Sequence, residues 1–187
     1  MCTLLVVDNG SVYTKNLVSF LSQTKIDFIT RTHDTIQLSQ IAKFSHIIIS
    51  GRTKNDQVMN AINSKIIKHA VLYKKSLLGI CYGAEILALT FGGTIRKTKS
   101  QQQGNQLINV IVNNQICAGQ IDVFESHNYE ISRLNDQLIG IANSQNCKYE
   151  IIQYKELNIF GTQFHPEMSI DDQKLIEASH ISDFNIE

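Results

Sequence analysis

An α/β fold organised on a parallel sheet is what this sequence of 187 residues predicts. Three observations carry the prediction. In the first half, apolar runs alternate with segments of helical period, and the runs are near-continuous, as strands covered on both faces require. In the second half, short strand candidates follow one another with brief turns between them. At Leu77 to Leu87 an apolar run ends in Cys81, with Gly79 and Gly83 on either side, and an apolar-periodic segment follows at once. That pattern reads as strand, sharp turn and helix, with the cysteine at the corner.

Taken in order, Thr3 to Asp8 is a short apolar run closed by Asp8-Asn9-Gly10, a buried strand ending in a turn. Ser11 suits the N-cap of a helix carrying Tyr13, Leu17, Phe20 and Leu21 on one face. Ile26 to Thr30 is a second strand, and Phe44 to Ser50 a third that ends at Gly51. From Asp56 to Tyr73, Val58, Ile62 and Ile66 recur at helical spacing, with Met59 and Ile67 beside them. The strand before Cys81 and the helix after it come next, and Gly92-Gly93 stops that helix. Leu107 to Val112, Gln115 to Ala118, Ile121 to Glu125, Leu138 to Ala142, Tyr149 to Tyr154 and Leu157 to Gln163 are the later strand candidates. Asn113-Asn114 and Glu156-Leu157-Asn158 suit tight connections, and Gln101 to Gln103 reads as a loop. After Pro166 a short helix from Asp171 to Ser179 is expected, then a weakly ordered tail. With no repeat and no linker, residues 1–187 read as a single domain.

The 17 basic and 17 acidic residues cancel, which gives no electrostatic footprint for nucleic acid or acidic lipid. Arg96-Lys97-Thr98-Lys99 reads as a solvated face. No run of about 18 apolar residues predicts a membrane span. The start of the chain is strand-like and shows neither the basic region nor the cleavage site of a secretory signal. The four cysteines, Cys2, Cys81, Cys117 and Cys147, form no CxxC pair and match no zinc template. Reduced thiols in the cytoplasm are therefore expected, with no metal and no cofactor.

Active sites in such sheets lie beyond the carboxyl ends of the strands. Asp8-Asn9-Gly10, Ser50-Gly51-Arg52 and Cys81-Tyr82-Gly83 all fall there. A buried cysteine is ordinarily a small apolar residue, and Cys2, Cys117 and Cys147 are read that way. Cys81 differs because a packing cysteine has no need of glycines on both sides, whereas a strained corner does. The corner also puts its sulfur at a helix N-terminus, where the macrodipole favours a thiolate.

A thiol nucleophile needs a base and an orienting group. His33, His46, His69 and His180 read as surface or satisfied structural histidines. His127, in Glu125-Ser126-His127-Asn128, follows a strand and can line a site. His165 ends a strand in Phe164-His165-Pro166-Glu167, where the only proline fixes the next turn. Glu167, two residues on, can reach the same side of an extended segment as the imidazole. Cys81, His165 and Glu167 then have the roles of nucleophile, base and orienter.

Gly79-Ile80-Cys81-Tyr82-Gly83 followed far along the chain by Phe164-His165-Pro166-Glu167 resembles the class I (triad-type) glutamine amidotransferase domain, from the first strand to about Ser169. The first motif most resembles that of the glutaminase subunit or domain of GMP synthase. The second is shared with the partners of anthranilate, aminodeoxychorismate and imidazole glycerol phosphate synthases. The resemblance implies a flavodoxin-like three-layer fold, with a central mostly parallel mixed sheet and a smaller antiparallel sheet. It implies that Cys81 attacks the side-chain amide of glutamine, that His165 moves the proton and that Glu167 holds the ring. Backbone N–H groups of Tyr82 and of the loop at Gly51 and Arg52 hold the oxyanion. It also implies a separate, ATP-dependent, ammonia-accepting synthetase subunit, with XMP on a GMP synthetase as the first choice of acceptor.

Three departures from the family pattern stand in the sequence. The loop after the third strand reads Ser50-Gly51-Arg52-Thr53, with Arg52 in place of a glycine and Thr53 in place of a proline. A loop that is mobile or ordered only by a partner is the expectation. Glu85 stands where the family has a substrate-holding glutamine, and its carboxylate can pair with the substrate ammonium. Ser126-His127, whose backbone the resemblance places at the substrate carboxylate, is followed by Asn128-Tyr129 instead of the Gly-Asp usual in GMP synthases. Amidotransferases of anthranilate or aminodeoxychorismate synthesis, a γ-glutamyl hydrolase or peptidase, and a non-catalytic regulatory module remain as alternatives.

Overall fold

The computed structural model describes residues 3–169 and 172–181, with the side chains of His180 and Ile181 left aside. Cys2, Asp171 and the tail, for which packing, a helix start and weak order were expected, lie outside the described residues. Among the described residues the strands are β1 Leu4–Asn9, β2 Phe28–Thr32, β3 His46–Arg52, β4 Ser76–Ile80, β5 Thr94–Val110, β6 Gln120–Arg133, β7 Leu138–Asn143, β8 Ile151–Tyr154 and β9 Ile159–Thr162. The α-helices are α1 Thr14–Leu21, α2 Gln57–Leu72, α3 Tyr82–Thr90 and α4 Gln173–Ile181.

The strands form one mixed sheet in the order β2-β1-β3-β4-β9-β8-β7-β5-β6. Pairing is parallel from β2 to β9 and antiparallel from β9 to β6. The expected antiparallel part thus continues the parallel part edge to edge. The alternation of side chains along each strand builds two cores. Leu5, Val7, Ile47, Ile49, Leu77 and Ile159 face α2 and α3. Leu4, Val6, Ile48, Leu78, Ile80 and Phe160 face Leu17 and Leu21 of α1 and Leu175 and Ile176 of α4. Both faces are covered, which is why the strands are apolar at every position.

Helix α2 begins as its sequence indicates: the Asp56 side chain caps it by accepting from the Met59 N–H at 2.7 Å. Helix α1 differs from expectation. It starts at Thr14 with Tyr13 at the cap, and Ser11 instead holds the preceding turn, accepting from the Tyr13 N–H at 3.1 Å. The second strand lies two residues later than expected, at Phe28–Thr32.

The larger correction concerns the second half. Gln101 to Gln103 is not a loop; it belongs to β5, whose register with β6 shifts between Lys97 and Gln102. Gln115 to Ala118 is not a strand but part of the connection between the two. The strand expected to stop at Glu125 continues to Arg133 and carries Ser126 and His127 within it. The physical reason is that a two-stranded ladder closes its own backbone hydrogen bonds, so a largely exposed polar strand shows no apolar periodicity.

Candidate active site

The site stands at the carboxyl ends of β1, β3, β4 and β9. Strands β4 and β9 are parallel neighbours, in register from Leu77 opposite Ile159 to Ile80 opposite Thr162. The segments that leave these two strand ends therefore meet. Cys81 caps α3 with φ +51° and ψ −103°, a left-handed strained backbone for a side chain with a Cβ. Its N–H donates to the Thr162 carbonyl at 2.7 Å, which locks the corner onto β9. The flanking glycines are required by space. A Cβ on Gly79 would lie 2.5 Å from the Gly83 carbonyl, and one on Gly83 would lie 2.4 Å from the Ile49 oxygen.

His165 lies beyond the end of β9, with its N–H donating to the Phe124 carbonyl of β6 at 2.9 Å. Its side chain hydrogen-bonds with the Cys81 thiol. On the other side its Nδ1 stands 2.8 Å from Glu167 Oε1, held in place by the turn Pro166–Met168. A carboxylate only accepts, so Nδ1 carries a proton and Nε2 is left to face the sulfur. Cys81 is 9 %, His165 2 % and Glu167 3 % exposed, so all three act in a low-dielectric interior.

Burial pushes the Cys81 thiol above its ordinary range, while the His165 hydrogen bond and charge pull the other way. The helix N-terminus does not by itself yield a resting thiolate; the sequence-based expectation left out the desolvation of a buried sulfur. Burial also opposes a charged His165, yet Glu167 and Cys81 outweigh it and hold the imidazole well above its ordinary value. The pair is set to exchange one proton.

Asn9 ties two strand ends together. Its N–H donates to Ser50 Oγ at 2.9 Å, its Nδ2 donates to the Ser50 carbonyl at 3.2 Å, and its Oδ1 accepts from Asn63 at 2.8 Å. Gly51 presses on the base: a Cβ there would lie 3.2 Å from His165 Cε1. Arg52 is not in a loose loop. It ends β3, bridges to Gly10, and its guanidinium lies 4.4 Å above the Tyr82 ring, with hydrogen bonding to Asn55. These contacts replace the mobility expected from the missing glycine and proline.

A cleft of about 220 Å³ opens above Cys81, lined by Arg52, Tyr82, Glu85, Ser126, His127 and Tyr129 among others. Every residue singled out in the sequence thus converges here or on the Cys81–His165–Glu167 array behind it. Arg52 and Glu85, both departures from the family motif, face each other with Nη2 and Oε2 3.8 Å apart. Burial raises Glu85, and Arg52 is the first influence against it. His127 is fixed between Glu125 Oε2 at 2.9 Å and the Tyr129 carbonyl at 2.8 Å.

The sequence reading missed two groups. Tyr13 lays its ring on His165 and donates its hydroxyl to Ser126 Oγ at 3.1 Å; its place just past the Gly10 turn at a strand end was the available signal. Glu150, buried against Glu125, has its carboxyl pushed up to about 9 by burial and that neighbour; nothing in a strand-like segment announces such a pair.

A strained cysteine, an imidazole and a carboxylate in line on an α/β sheet define the architecture of a thiol-nucleophile amide-processing enzyme. The sequence profile of the family "Glutamine amidotransferase class-I" matches residues 5–181, and the chain belongs to this family. The glutamine-hydrolysing subunit of GMP synthase from Thermoplasma acidophilum is 31% identical over 172 residues, 90% of this chain and 85% of that protein. The protein of the same name from Pyrococcus furiosus is 29% identical over 171 residues, 89% of each chain. A GMP synthase subunit from T. acidophilum, known from its crystal structure, superposes with a TM-score of 0.85 at 28% identity, covering 96% of this chain and 92% of that one. A Thermotoga maritima glutamine amidotransferase, 16% identical with a TM-score of 0.74, covers 100% of this chain and 86% of its own, and shares the fold. No helix among the described residues is long and apolar enough to cross a membrane.

Proposed function

We propose that residues 1–187 form one glutaminase domain that hydrolyses glutamine to glutamate and ammonia and passes the ammonia to a separate ATP-dependent synthetase, with XMP as acceptor. The observation that carries the reading is the Cys81–His165–Glu167 array, in which Glu167 stands 2.8 Å from one face of an imidazole whose other side meets the elbow thiol. The names of the relatives support GMP synthesis as the destination.

Each step follows from the geometry. His165 Nε2 takes the Cys81 proton as Sγ attacks the amide carbon, and Glu167 stabilises the imidazolium. The tetrahedral oxyanion is held by the N–H of Tyr82, left free at the first position of α3, and by an N–H from Gly51 or Arg52. His165 gives its proton to the departing nitrogen, ammonia leaves and a glutamyl thioester remains. His165 then takes a proton from water, which attacks the thioester, and the thiol is restored as glutamate leaves. Glu85, Ser126 and His127 hold the substrate from the cleft side. No cofactor enters any step. The cytoplasm is the compartment this chemistry assigns, because the nucleophile must be a reduced thiol.

The test is co-purification from the native source to identify the synthetase, followed by assay of Cys81→Ala in the reconstituted pair. Glutamine-dependent GMP formation is expected to vanish while ammonia-dependent formation persists. Loss of both in a folded variant would contradict the division of labour. Release of glutamate from γ-glutamyl peptides without ammonia release from glutamine would favour a hydrolase instead.

A further inference from the structure

We infer that Arg52 and Glu85 together read the charged headgroup of the amino-acid substrate, Glu85 accepting from its α-ammonium and Arg52 donating to its α-carboxylate. The inference rests on the glutamine reading above and adds to it the device that recognises a free amino acid.

Both side chains line the same cleft as Cys81. At 3.8 Å, Arg52 Nη2 and Glu85 Oε2 attract each other but lie beyond hydrogen-bond reach. Each charge therefore keeps hydrogen-bonding capacity for a third group. A free amino acid carries an ammonium and a carboxylate on one carbon, which is the complement of two opposite charges held this close. Glutamine inside a peptide carries neither charge and gains nothing here.

The pair is built to hold its position. Arg52 lies flat on the Tyr82 ring and is hydrogen-bonded to Asn55. The Tyr82 hydroxyl donates to Asn60 Oδ1 at 2.8 Å and accepts from Asn63 at 3.3 Å, so the platform is itself fixed. Burial pushes the Tyr82 hydroxyl up to about 12, which keeps it a donor across the working range. Glu85 sits one helical turn beyond Cys81 and is 4 % exposed, with Arg52, the Gln163 amide and His127 as its electrostatic neighbours. A buried carboxylate whose cation stands this far off gains from a second cation that can touch it.

The test uses the full chain, alone and with native-source lysate to supply any partner. The probes are 6-diazo-5-oxo-L-norleucine, its N-acetyl derivative and its α-methyl ester. Alkylation of the Cys81 peptide is followed by mass spectrometry, and iodoacetamide, which has no headgroup, gauges the thiol and the fold. Wild type is expected to prefer the unmodified probe over each derivative by about 10- to 100-fold. Glu85→Gln should lose the preference over the N-acetyl probe and keep that over the ester, Arg52→Gln should do the reverse, and iodoacetamide rates should hold. Unchanged preferences, iodoacetamide rates falling in step with the probes, or faster diazoketone labelling of Arg52→Gln would each overturn the inference. A wild-type thiol that reacts with iodoacetamide but ignores all three diazoketones would instead overturn the glutamine reading beneath it.

Discussion

The Tyr13 ring lies against the His165 imidazole with centroids 4.5 Å apart and planes at 60°. The base is thereby clamped from a third side, in addition to Glu167 and the backbone tie to Phe124. Tyr13→Ala is expected to lower kcat by about 2- to 10-fold, the worth of one aromatic pair, with KM little changed. Tyr13→Phe should restore most of the loss, since the ring does the positioning and the hydroxyl only meets Ser126. Steady-state kinetics of the two variants check the split.

Glu167→Gln removes the charge that holds His165 protonated. The His165 pKa, raised in the folded chain chiefly by Glu167 acting against burial, should fall. The thiolate–imidazolium pair then loses its stabilising anion, and glutaminase kcat/KM should drop by about 100-fold or more. The pH dependence of Cys81 alkylation reports the shift directly: the imidazolium-dependent limb should move to lower pH in the variant.

The glycines of the elbow are predicted to be intolerant. In Gly83→Ala the new methyl meets the Ile49 oxygen at 2.4 Å, and in Gly79→Ala it meets the Gly83 carbonyl at 2.5 Å. Backbone atoms cannot swing aside as side chains do, so each change should cost about 1–3 kcal/mol or more. Gly92, at φ +82° with open space around it, is the control; its Ala variant bears only the left-handed strain of about 1–2 kcal/mol. Urea unfolding of the three variants gives the ranking.

Glu150 should make stability depend on pH. Its carboxyl is raised from 4.5 to about 9, so between those values the folded chain holds a proton that the unfolded chain has released. Stability from this group is full below about 4.5 and declines as pH rises towards 9, by up to about 1.4 kcal/mol per pH unit. Glu150→Gln should flatten that slope, while Glu125 and Glu130 remain. Chemical unfolding of both proteins at several pH values measures the difference.

The parallel half of the fold was legible because its strands are buried on both faces and its helices carry their own spacing; the Asp56 cap and the Gly92-Gly93 stop fell where the chain announced them. The triad was legible because Cys81 and His165 each sit in a local context that packing alone does not explain. The hairpin of β5 and β6 was not. Its residues Lys97 to Gln106 are polar and largely exposed, and a ladder held by backbone hydrogen bonds leaves no trace in side-chain pattern. Arg52 was misjudged for a related reason: the sequence showed the lost glycine but not the Tyr82 ring waiting to receive the guanidinium.

The placement of β9 between β4 and β8 also sets an order of assembly. Cys81 closes the fourth strand, but its base arrives only with the ninth, after the long β5–β6 arm has been made. Pairing that distant in sequence is slow to form. A nascent or truncated chain that stops short of β9 therefore carries the thiol without its base, and the nucleophile stays dormant until synthesis is nearly complete.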